Sequence, residues 1–250
     1  MTLSDFFHQY KKAAIAFSGG VDSAYLLYNA VKCSAIVQPY YVMSAFQPQF
    51  ELEDAKRIAK QLHIRLKILE MDILSDKRIV ENTDKRCYYC KKAIFSMIEK
   101  EARKDGFSLL LDGTNASDQE DDRPGMLALH ELSVRSPLRE CGLTKEDIRK
   151  YSKEAGLFTF KKPAYACLAT RISTGEKITK ESLLKTEKAE NFLFSLGFTN
   201  FRIRMLGNAA KLELSFDDLQ KAIKYREMIV TELKKSYSSV LLDLEVRNKV

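Results

Sequence analysis

A short polar loop follows an apolar run near the start of the chain, where residues 13–17 lead into Ser-Gly-Gly-Val-Asp-Ser at residues 18–23. Glycines let a backbone approach a ligand closely, and serine hydroxyls donate hydrogen bonds to phosphate oxygens. Where such a loop opens a helix, its backbone N–H groups favour an anion. Asp22 would face that anion through a cation, for which Mg²⁺ is suited. The loop predicts a triphosphate site; a strand-to-helix turn capped by Asp22 is the alternative.

Three cysteines have a context that could do chemistry. Cys87 and Cys90 form a Cys-x-x-Cys pair, and Cys167 lies in a segment with basic residues on both sides. Positive charge favours a thiolate, and a thiolate attacks an activated carboxylate well near neutral pH. The Cys-x-x-Cys pair alone would also suit zinc or a redox dithiol. Cys33 and Cys141 lack such context, and we expect them to be buried or incidental.

Basic residues repeat with strand spacing near the C-terminus. Arg202 and Arg204 are two apart, so on a strand their side chains share one face. Two guanidinium groups on one face would hold a phosphate well; an exposed basic strand face is the alternative. Weaker candidates are Lys91 for a transition-state phosphate, Arg123, and the carboxylates of Asp112 and Glu190 for a metal. The three histidines have no metal spacing.

The first two-thirds of the chain alternates apolar strand patterns with amphipathic helix patterns. Such alternation predicts an α/β fold with a doubly wound parallel sheet, whose ligands bind at the carboxyl ends of the strands. The expected strands are residues 13–17, 35–43, 64–69, 109–112 and 134–138. The expected helices are residues 22–31, 52–62, 87–104 and 145–155.

From about residue 178 the pattern changes to helix, two strands, helix and strand. We expect a helix at 180–196, strands at 201–206 and 210–214, a helix at 216–235 and a strand at 240–246. This order predicts a small α+β unit. The boundary is placed near residue 175, which gives a domain of residues 1–175 and a second domain of residues 176–250.

Composition narrows the partners only a little. The 250 residues carry a net charge of +7, with the basic residues scattered along the chain. A protein that serves nucleotides would be mildly basic, and scattered charge without an RNA-binding module makes nucleic acid an unlikely partner. No apolar run reaches the roughly 20 residues needed to cross a bilayer. The first residues lack the pattern of a signal peptide, so we expect a cytoplasmic protein with no membrane partner.

The loop at residues 18–23 resembles the signature of PP-loop ATP pyrophosphatases, which split ATP between the α and β phosphates and leave AMP on an acceptor. It lacks the final lysine of the Walker-type loop. The resemblance implies an adenine nucleotide alpha hydrolase-like fold, ATP and Mg²⁺ as cofactors, and Asp22 as both a magnesium ligand and a catalytic residue. The expected nucleotide contacts are Ala16, Phe17, Ser18, Gly19, Gly20, Val21, Asp22, Ser23, Ser44, Asp112 and Gly113.

Further segments resemble the ATP-dependent sacrificial sulfur transferases that build the nickel-pincer cofactor. They are residues 87–92, 112–115, 121–125, 135–138, 162–171 and 201–204, and together they extend the resemblance over nearly the whole chain. The resemblance implies that a carboxylate of a pyridinium dicarboxylate mononucleotide is adenylated and that sulfur then replaces AMP to give a thiocarboxylate. It assigns catalysis to Cys167, Asp22 and Lys91. It assigns the substrate phosphate to Thr170, Arg171, Arg202 and Arg204.

The cysteine pattern resembles the three-cysteine subtype of this family. In that subtype Cys87, Cys90 and Cys167 would hold a 4Fe-4S cluster whose fourth iron is open to exogenous sulfide. Two alternatives remain: Cys167 gives up its own sulfur and becomes dehydroalanine, or the pair binds zinc or is inert. The family also implies a homo-oligomer with a C-terminal domain for substrate binding or oligomerisation. Other functional readings are a PP-loop tRNA thiolase, an ammonia-using synthetase and a non-catalytic nucleotide-binding protein.

Overall fold

A computed structural model describes residues 1–118 and 124–247 of the chain. The chain divides into two compact units. The N-terminal unit contains Met1–Ile73 and Lys85–Lys162, and the C-terminal unit contains Leu74–Asp84 and the chain from Pro163 onward. In the described part of the chain, no helix has the length and apolar character needed to span a membrane.

The N-terminal unit is built on a four-stranded parallel sheet with strand order β3-β2-β1-β4. The strands are β1 (Lys12–Ala16), β2 (Ile36–Met43), β3 (Lys67–Glu70) and β4 (Leu110–Leu111). The helices as far as residue 154 are α1 (Leu3–Gln9), α2 (Val21–Lys32), α3 (Gln49–Gln61), α4 (Lys77–Val80), α5 (Arg86–Lys104), α6 (Pro124–Glu131), α7 (Pro137–Glu140) and α8 (Lys145–Glu154); of these, α4 lies in the C-terminal unit. The predicted α/β class is therefore confirmed.

Helices cover both faces of this sheet because successive strand residues point to opposite sides. Ile15 and Tyr41 pack in a cluster with apolar residues of α2 and α3. Their neighbours Ala14 and Tyr40 pack in another cluster with α5 and α6. Burial on both faces explains why β1 and β2 appear in the sequence as nearly continuous apolar runs.

Two expectations for the N-terminal unit differ from the structure. The strand expected at residues 134–138 is wrong: only Arg135 pairs with Leu111, in an isolated parallel bridge, and α7 begins at Pro137. Proline suits the first helical position and lacks the N–H that a strand needs. Helix α1 was not predicted. It begins with a capping box between Thr2 and Asp5, which is the sequence signal that marks its start.

The C-terminal unit forms the expected small α+β structure. It contains α9 (Lys180–Ser195), β5 (Phe201–Leu206), β6 (Ala209–Leu214), α10 (Phe216–Lys224), α11 (Arg226–Leu233) and β7 (Ser239–Leu242). The strand order is β5-β6-β7, with β5 antiparallel and β7 parallel to β6. The single helix expected at residues 216–235 is two helices that meet at Tyr225, and the last strand ends at Leu242.

The division between the units falls after Lys162, earlier than the change of pattern near residue 175, and it adds residues 74–84 to the C-terminal unit. The side-chain amide of Asn82 accounts for the second difference. It donates hydrogen bonds to the carbonyls of Ile172 at 3.4 Å, Ser173 at 2.7 Å and Glu176 at 3.0 Å. Contacts across about 90 residues leave no local signal in a sequence.

Candidate active site

The loop at residues 18–23 joins β1 to α2 in a conformation that requires glycine. Gly19 has a φ of +72°, and a Cβ on it would lie 3.0 Å from the backbone nitrogen of Ala55. The Gly20 N–H donates to Ser18 Oγ at 3.3 Å, and Ser23 Oγ donates to the Gly20 carbonyl at 3.2 Å. The two serine oxygens are 3.2 Å apart. The loop is therefore held in shape by its own short polar side chains.

The start of α2 offers backbone donors to a ligand. Gly20 is the N-cap, and among the described residues no side chain caps the first turn. Gly113 lies close to this helix start: a Cβ on Gly113 would lie 3.0 Å from the backbone nitrogen of Ser23. Free N–H groups at a helix N-terminus, with only glycine beside them, favour a phosphate.

Asp22 has a cationic partner that sequence analysis missed. Lys145 Nζ donates to Asp22 Oδ2 in an ion pair, and Asn115 Nδ2 approaches Oδ1 at 3.4 Å. Lys145 is the first residue of α8, which begins with a capping box formed by Thr144 and Asp147. A positive charge in the first turn opposes the helix dipole, and that mismatch is the signal that could have indicated a functional lysine.

A cavity of about 310 Å³ opens beside the loop and brings most of the predicted nucleotide contacts together. Of the predicted residues, it is lined by Ala16, Phe17, Ser18, Asp22, Ser23, Lys91, Asp112 and Gly113. An apolar part not predicted from the sequence comes from β2 and α5: Tyr40, Val42, Ile94, Phe95 and Ile98. A polar loop beside an apolar wall suits a ligand with phosphates and an aromatic base.

Ser44 is not among the residues that line the cavity. Its hydroxyl donates to Gln47 Oε1 at 2.6 Å, and Gln47 is a lining residue. Gly19, Gly20 and Val21 likewise shape the loop without lining the cavity. The predicted contact set thus separates into residues that line the cavity and residues that support them.

Asp112 is buried and its carboxylate is used by nearby donors. It accepts hydrogen bonds from Ser136 Oγ at 2.6 Å, from Thr114 Oγ at 2.5 Å and from the Thr114 N–H at 3.2 Å. These bonds fix the turn after β4 at the cavity wall.

Lys91 lines the cavity from α5, and its position depends on a glycine. A Cβ on Gly125 would lie 2.8 Å from Lys91 Cδ and 3.1 Å from Cε. The aliphatic stem of Lys91 therefore passes directly over Gly125 in α6. Arg123, another of the weaker candidates, lies outside the described residues.

Cys87 and Cys90 lie in the first turn of α5, where a spacing of three puts both on one face of the helix. Both are free thiols, with Cys87 exposed and Cys90 partly buried. Arg86 Nη2 approaches Cys87 Sγ at 3.5 Å. Across residues 1–118 and 124–247, no group of three or more His, Cys, Asp or Glu side chains is arranged to hold a metal ion. The expected 4Fe-4S ligands thus include a pair in one unit and Cys167 in the other.

Cys33 and Cys141 pack against the apolar core of the N-terminal unit. Burial is the main cause that raises the pKa of the Cys141 thiol, so this group is a poor thiolate. No role was expected for either residue.

Cys167 is a partly buried free thiol in the C-terminal unit, just before a 3₁₀ turn at Leu168–Arg171. Its carbonyl accepts from the Thr170 N–H at 3.0 Å and from Thr170 Oγ at 2.9 Å. The guanidinium of Arg171 is buried and forms an ion pair with Glu190 at 2.7 Å. Thr170 and Arg171, expected to contact a substrate phosphate, are therefore engaged inside the protein.

Strand β5 presents Arg202 and Arg204 on the face opposite the buried Phe201 and Ile203. Arg204 bonds Glu213 through Nε and the Thr170 carbonyl through Nη1. Arg202 forms no ion pair with any described residue. Its partial burial, then the charges of Arg247, Arg171 and Arg204, lower its pKa to about 10. An unpaired guanidinium among other cations would gain from a bound anion.

Arg247 is a further member of this basic face that the sequence analysis did not include. Its N–H donates to the Leu214 carbonyl at 2.8 Å, which brings the end of the chain back to β6. Its side chain lies 3.6 Å from Glu213. A single arginine beyond the last predicted strand carries no periodic pattern that could have marked it.

Sequence comparisons relate the chain to known proteins. The family profile described as "Queuosine biosynthesis protein QueC" matches residues 12–92, which include β1 and the loop after it. The uncharacterized protein slr1717 of Synechocystis sp. is 33% identical over 97% of this chain and 92% of its own length. The uncharacterized protein MJ0830 of Methanocaldococcus jannaschii is 33% identical over 94% of this chain and 90% of its own. The pyridinium-3,5-bisthiocarboxylic acid mononucleotide synthase of Lactiplantibacillus plantarum is 30% identical over 94% of this chain and 86% of its own.

The parallel sheet, the loop after β1 and the cavity beside it define an ATP-using enzyme of the PP-loop class. Within that class, the chain belongs to the family that contains the Lactiplantibacillus plantarum synthase. This is the family that the sequence resemblance indicated.

Proposed function

We propose that the protein is an ATP-dependent sulfur transferase. It adenylates a carboxylate of a pyridinium dicarboxylate mononucleotide and then replaces AMP with sulfur to give a thiocarboxylate. One observation carries the proposal: the cavity combines the phosphate loop with an apolar wall and with Lys91, in a chain of the same family as a pyridinium bisthiocarboxylate mononucleotide synthase.

In the first step, a carboxylate oxygen of the substrate attacks the α-phosphorus of ATP. The bond from that phosphorus to the bridging oxygen breaks, and pyrophosphate leaves with the electron pair. The N–H groups at the start of α2 and the hydroxyls of Ser18 and Ser23 hold the leaving pyrophosphate. Lys91, on the cavity wall, neutralises charge that develops on the α-phosphate.

Asp22 and Lys145 together set the charge at the phosphate end of the cavity. A Mg²⁺ ion would be held by Asp22, and when bound it screens the phosphate oxygens. The ammonium of Lys145 holds the same carboxylate in position and adds a positive charge beside the leaving group. The site suits magnesium because Asp22 provides a carboxylate oxygen, the type of ligand that Mg²⁺ prefers.

In the second step, a sulfur nucleophile attacks the acyl carbon of the adenylate and AMP leaves. The sulfur is presented at Cys167, while Arg202 and Arg204 hold the substrate phosphate and Thr170 and Arg171 shape the segment around the cysteine. A 4Fe-4S cluster would be held by Cys87, Cys90 and Cys167, and it would supply an open iron that carries sulfide. Three free thiols, two on one helix face, are the observation in favour of that ligand set.

The first step is tested by pyrophosphate release from ATP in the presence of the dicarboxylate mononucleotide. Asp22→Ala should remove at least about 99% of the activity, in line with loss of a charged group at a phosphoryl site. Glu53→Ala, an exposed acidic residue of α3, is the matched control. Undiminished pyrophosphate release in the Asp22 variant would contradict this step.

The second step is tested by iron and acid-labile sulfide content after purification without oxygen. Iron and sulfide near four each, lost in Cys87→Ser, Cys90→Ser or Cys167→Ser, would support the cluster. Absence of iron after reconstitution would remove it, and Cys167 would then be expected to lose its own sulfur. If all three cysteine variants kept full activity, an ammonia-using synthetase would be favoured. Binding of bulk tRNA that falls steeply with salt would favour a tRNA thiolase.

A further inference from the structure

Glu190 is a buried carboxylate on α9 that joins three separate segments of the C-terminal unit. Its Oε1 accepts hydrogen bonds from Arg171 Nε at 2.7 Å and from the Ile203 N–H at 3.0 Å. Its Oε2 accepts from Tyr165 Oη at 2.6 Å and from Arg171 Nη2 at 3.2 Å. With only 2% of the residue exposed, four donors use both oxygens. The carboxylate is satisfied within the protein.

The donors to Glu190 surround Cys167 in the sequence. Tyr165 lies two residues before the cysteine and Arg171 lies four residues after it. Arg171 also donates through Nη1 to the Ala166 carbonyl at 3.0 Å and to Thr170 Oγ at 2.7 Å. The peptides on both sides of Cys167 are thus tied to one buried ion pair.

The remaining donor connects Glu190 to β5. Ile203 lies between Arg202 and Arg204, on an edge strand of the three-stranded sheet. Its N–H donates to Glu190, so the carboxylate satisfies a backbone donor on that strand. Arg204, on the same strand, donates a hydrogen bond to the Thr170 carbonyl in the cysteine segment. The cysteine segment and the basic strand are therefore linked twice.

Such a network is expensive for stability alone. Removing two charges from water costs free energy that their attraction regains only with good geometry and additional hydrogen bonds. An apolar pair would fill the same space at lower cost, so the retained ion pair suggests a need for exact placement of the groups it joins.

We infer that Glu190 is a positioning residue that fixes the Cys167 sulfur relative to the anion-binding face of β5. The inference rests on the proposed function and deepens it. Cys167 has to meet the acyl carbon of a substrate whose phosphate is held by Arg202, so the spacing between these two groups is set by Glu190. Displacement by about 1 Å can cost on the order of 100-fold in rate.

The test uses the reactivity of Cys167 in the full chain, which does not depend on any assumed reaction. Iodoacetamide labelling of the full chain after removal of any iron, followed by peptide mass spectrometry, gives the alkylation rate of Cys167, with Cys87 in the same molecule as the reference. Glu190→Gln should raise the Cys167 rate at least about threefold, because the segment loosens while the Arg171 charge that favours the thiolate remains. The Cys87 rate should not change. Equal Cys167 rates in a folded Glu190→Gln variant would overturn the inference.

A second variant separates positioning from stability. The double change Arg171→Met with Glu190→Gln removes both charges, so the unfolding temperature should return towards that of the parent. The Cys167 rate should still differ from the parent, because the bonds to Ala166 and Thr170 are lost. Recovery of both the stability and the parental labelling rate would show that the pair serves stability alone.

If Glu190→Gln does not fold, Tyr165→Phe provides a milder change. It removes one donor to Glu190 but keeps the ring that lies 4.5 Å from the Arg171 guanidinium. Its Cys167 rate should rise about twofold, on the same reasoning about a loosened segment. A changed labelling rate with no sulfur transfer by the parent protein would retain the inference about placement and contradict the proposed function. An unchanged rate in this variant would contradict the inference.

Discussion

Lys145 and Asp22 form an ion pair although 123 residues separate them in the sequence. Asp22 belongs to the loop after β1 and Lys145 is the first residue of α8, so the pair joins an early and a late segment of the N-terminal unit. The carboxylate that would hold magnesium is thus neutralised by a lysine of the protein itself.

Lys145→Met should lower the rate of pyrophosphate release by about 100-fold, as expected for a charged donor beside a leaving group. The variant removes the lysine partner of the Asp22 carboxylate beside the triphosphate, so only a bound Mg²⁺ would offset that negative charge. Steady-state kinetics with ATP as the varied substrate measure the effect, and Lys150→Met, an exposed lysine on the same helix, is the control. Equal rates for the two variants would refute a role for the pair.

Gly19→Ala should destabilise the protein by more than a glycine replacement elsewhere with a similar backbone. Gly207 also has positive φ, at +54°, but a Cβ on it would meet nothing within 4 Å. Gly207→Ala should therefore lower the free energy of unfolding only through the left-handed backbone conformation, by about 1 kcal/mol. Gly19→Ala adds the close contact with Ala55 and should lower it by about 2–4 kcal/mol. Urea denaturation of both variants measures the difference, and equal losses would argue against the close approach.

Gly125→Ala should separate activity from stability. Alanine favours a helix over glycine by about 1 kcal/mol, so α6 should be at least as stable as before. The new methyl group would displace the flexible end of Lys91 from its place over residue 125. We expect pyrophosphate release to fall about tenfold, towards the rate of Lys91→Met, while the unfolding temperature holds. Unchanged activity would mean that the function of Lys91 does not depend on its side chain passing over residue 125.

Sulfate should stabilise the protein through Arg202. At a concentration 100 times its Kd, a ligand that binds only the folded state adds about 2.7 kcal/mol to the free energy of unfolding. Arg202→Gln should reduce this gain to the part contributed by sulfate at the loop of residues 18–23, and Arg226→Gln, which changes an exposed arginine, should retain all of it. Thermal unfolding with and without sulfate measures both.

The pH dependence of that sulfate effect follows from the pKa of Arg202, which burial and neighbouring arginines lower to about 10. Sulfate does not titrate in this range, so its stabilising effect should be constant at neutral pH and should fall as pH rises through 10. Without sulfate, the contribution of Arg202 to the free energy of unfolding changes with pH in the opposite direction. Above pH 10, but below the ordinary pKa of an arginine, the unfolded chain binds more protons at this site than the folded chain does, so the free energy of unfolding should rise with pH.

The sequence predicted those parts of the fold that depend on local patterns. β1 and β2 are apolar runs, α5 begins within one residue of the expected position, and the phosphate loop is a contiguous motif. Lys145 and Arg247 could not be predicted in this way, because each reaches its site through a contact with a distant part of the chain. For the same reason, the buried state of Arg171 could not be foreseen: its partner Glu190 is 19 residues away, on a different element.

Asn82 has a consequence for how the gene could be divided. Because its amide holds the carbonyls of Ile172, Ser173 and Glu176, a fragment that ends at residue 162 would carry Leu74–Asp84 without the residues that receive those bonds. The complementary fragment would contain the acceptors without the donor. No single cut yields both units complete: residues 1–162 contain the whole N-terminal unit, but a fragment that begins after residue 162 lacks part of the C-terminal unit. During synthesis, Leu74–Asp84 must wait for about 90 further residues before its partners leave the ribosome.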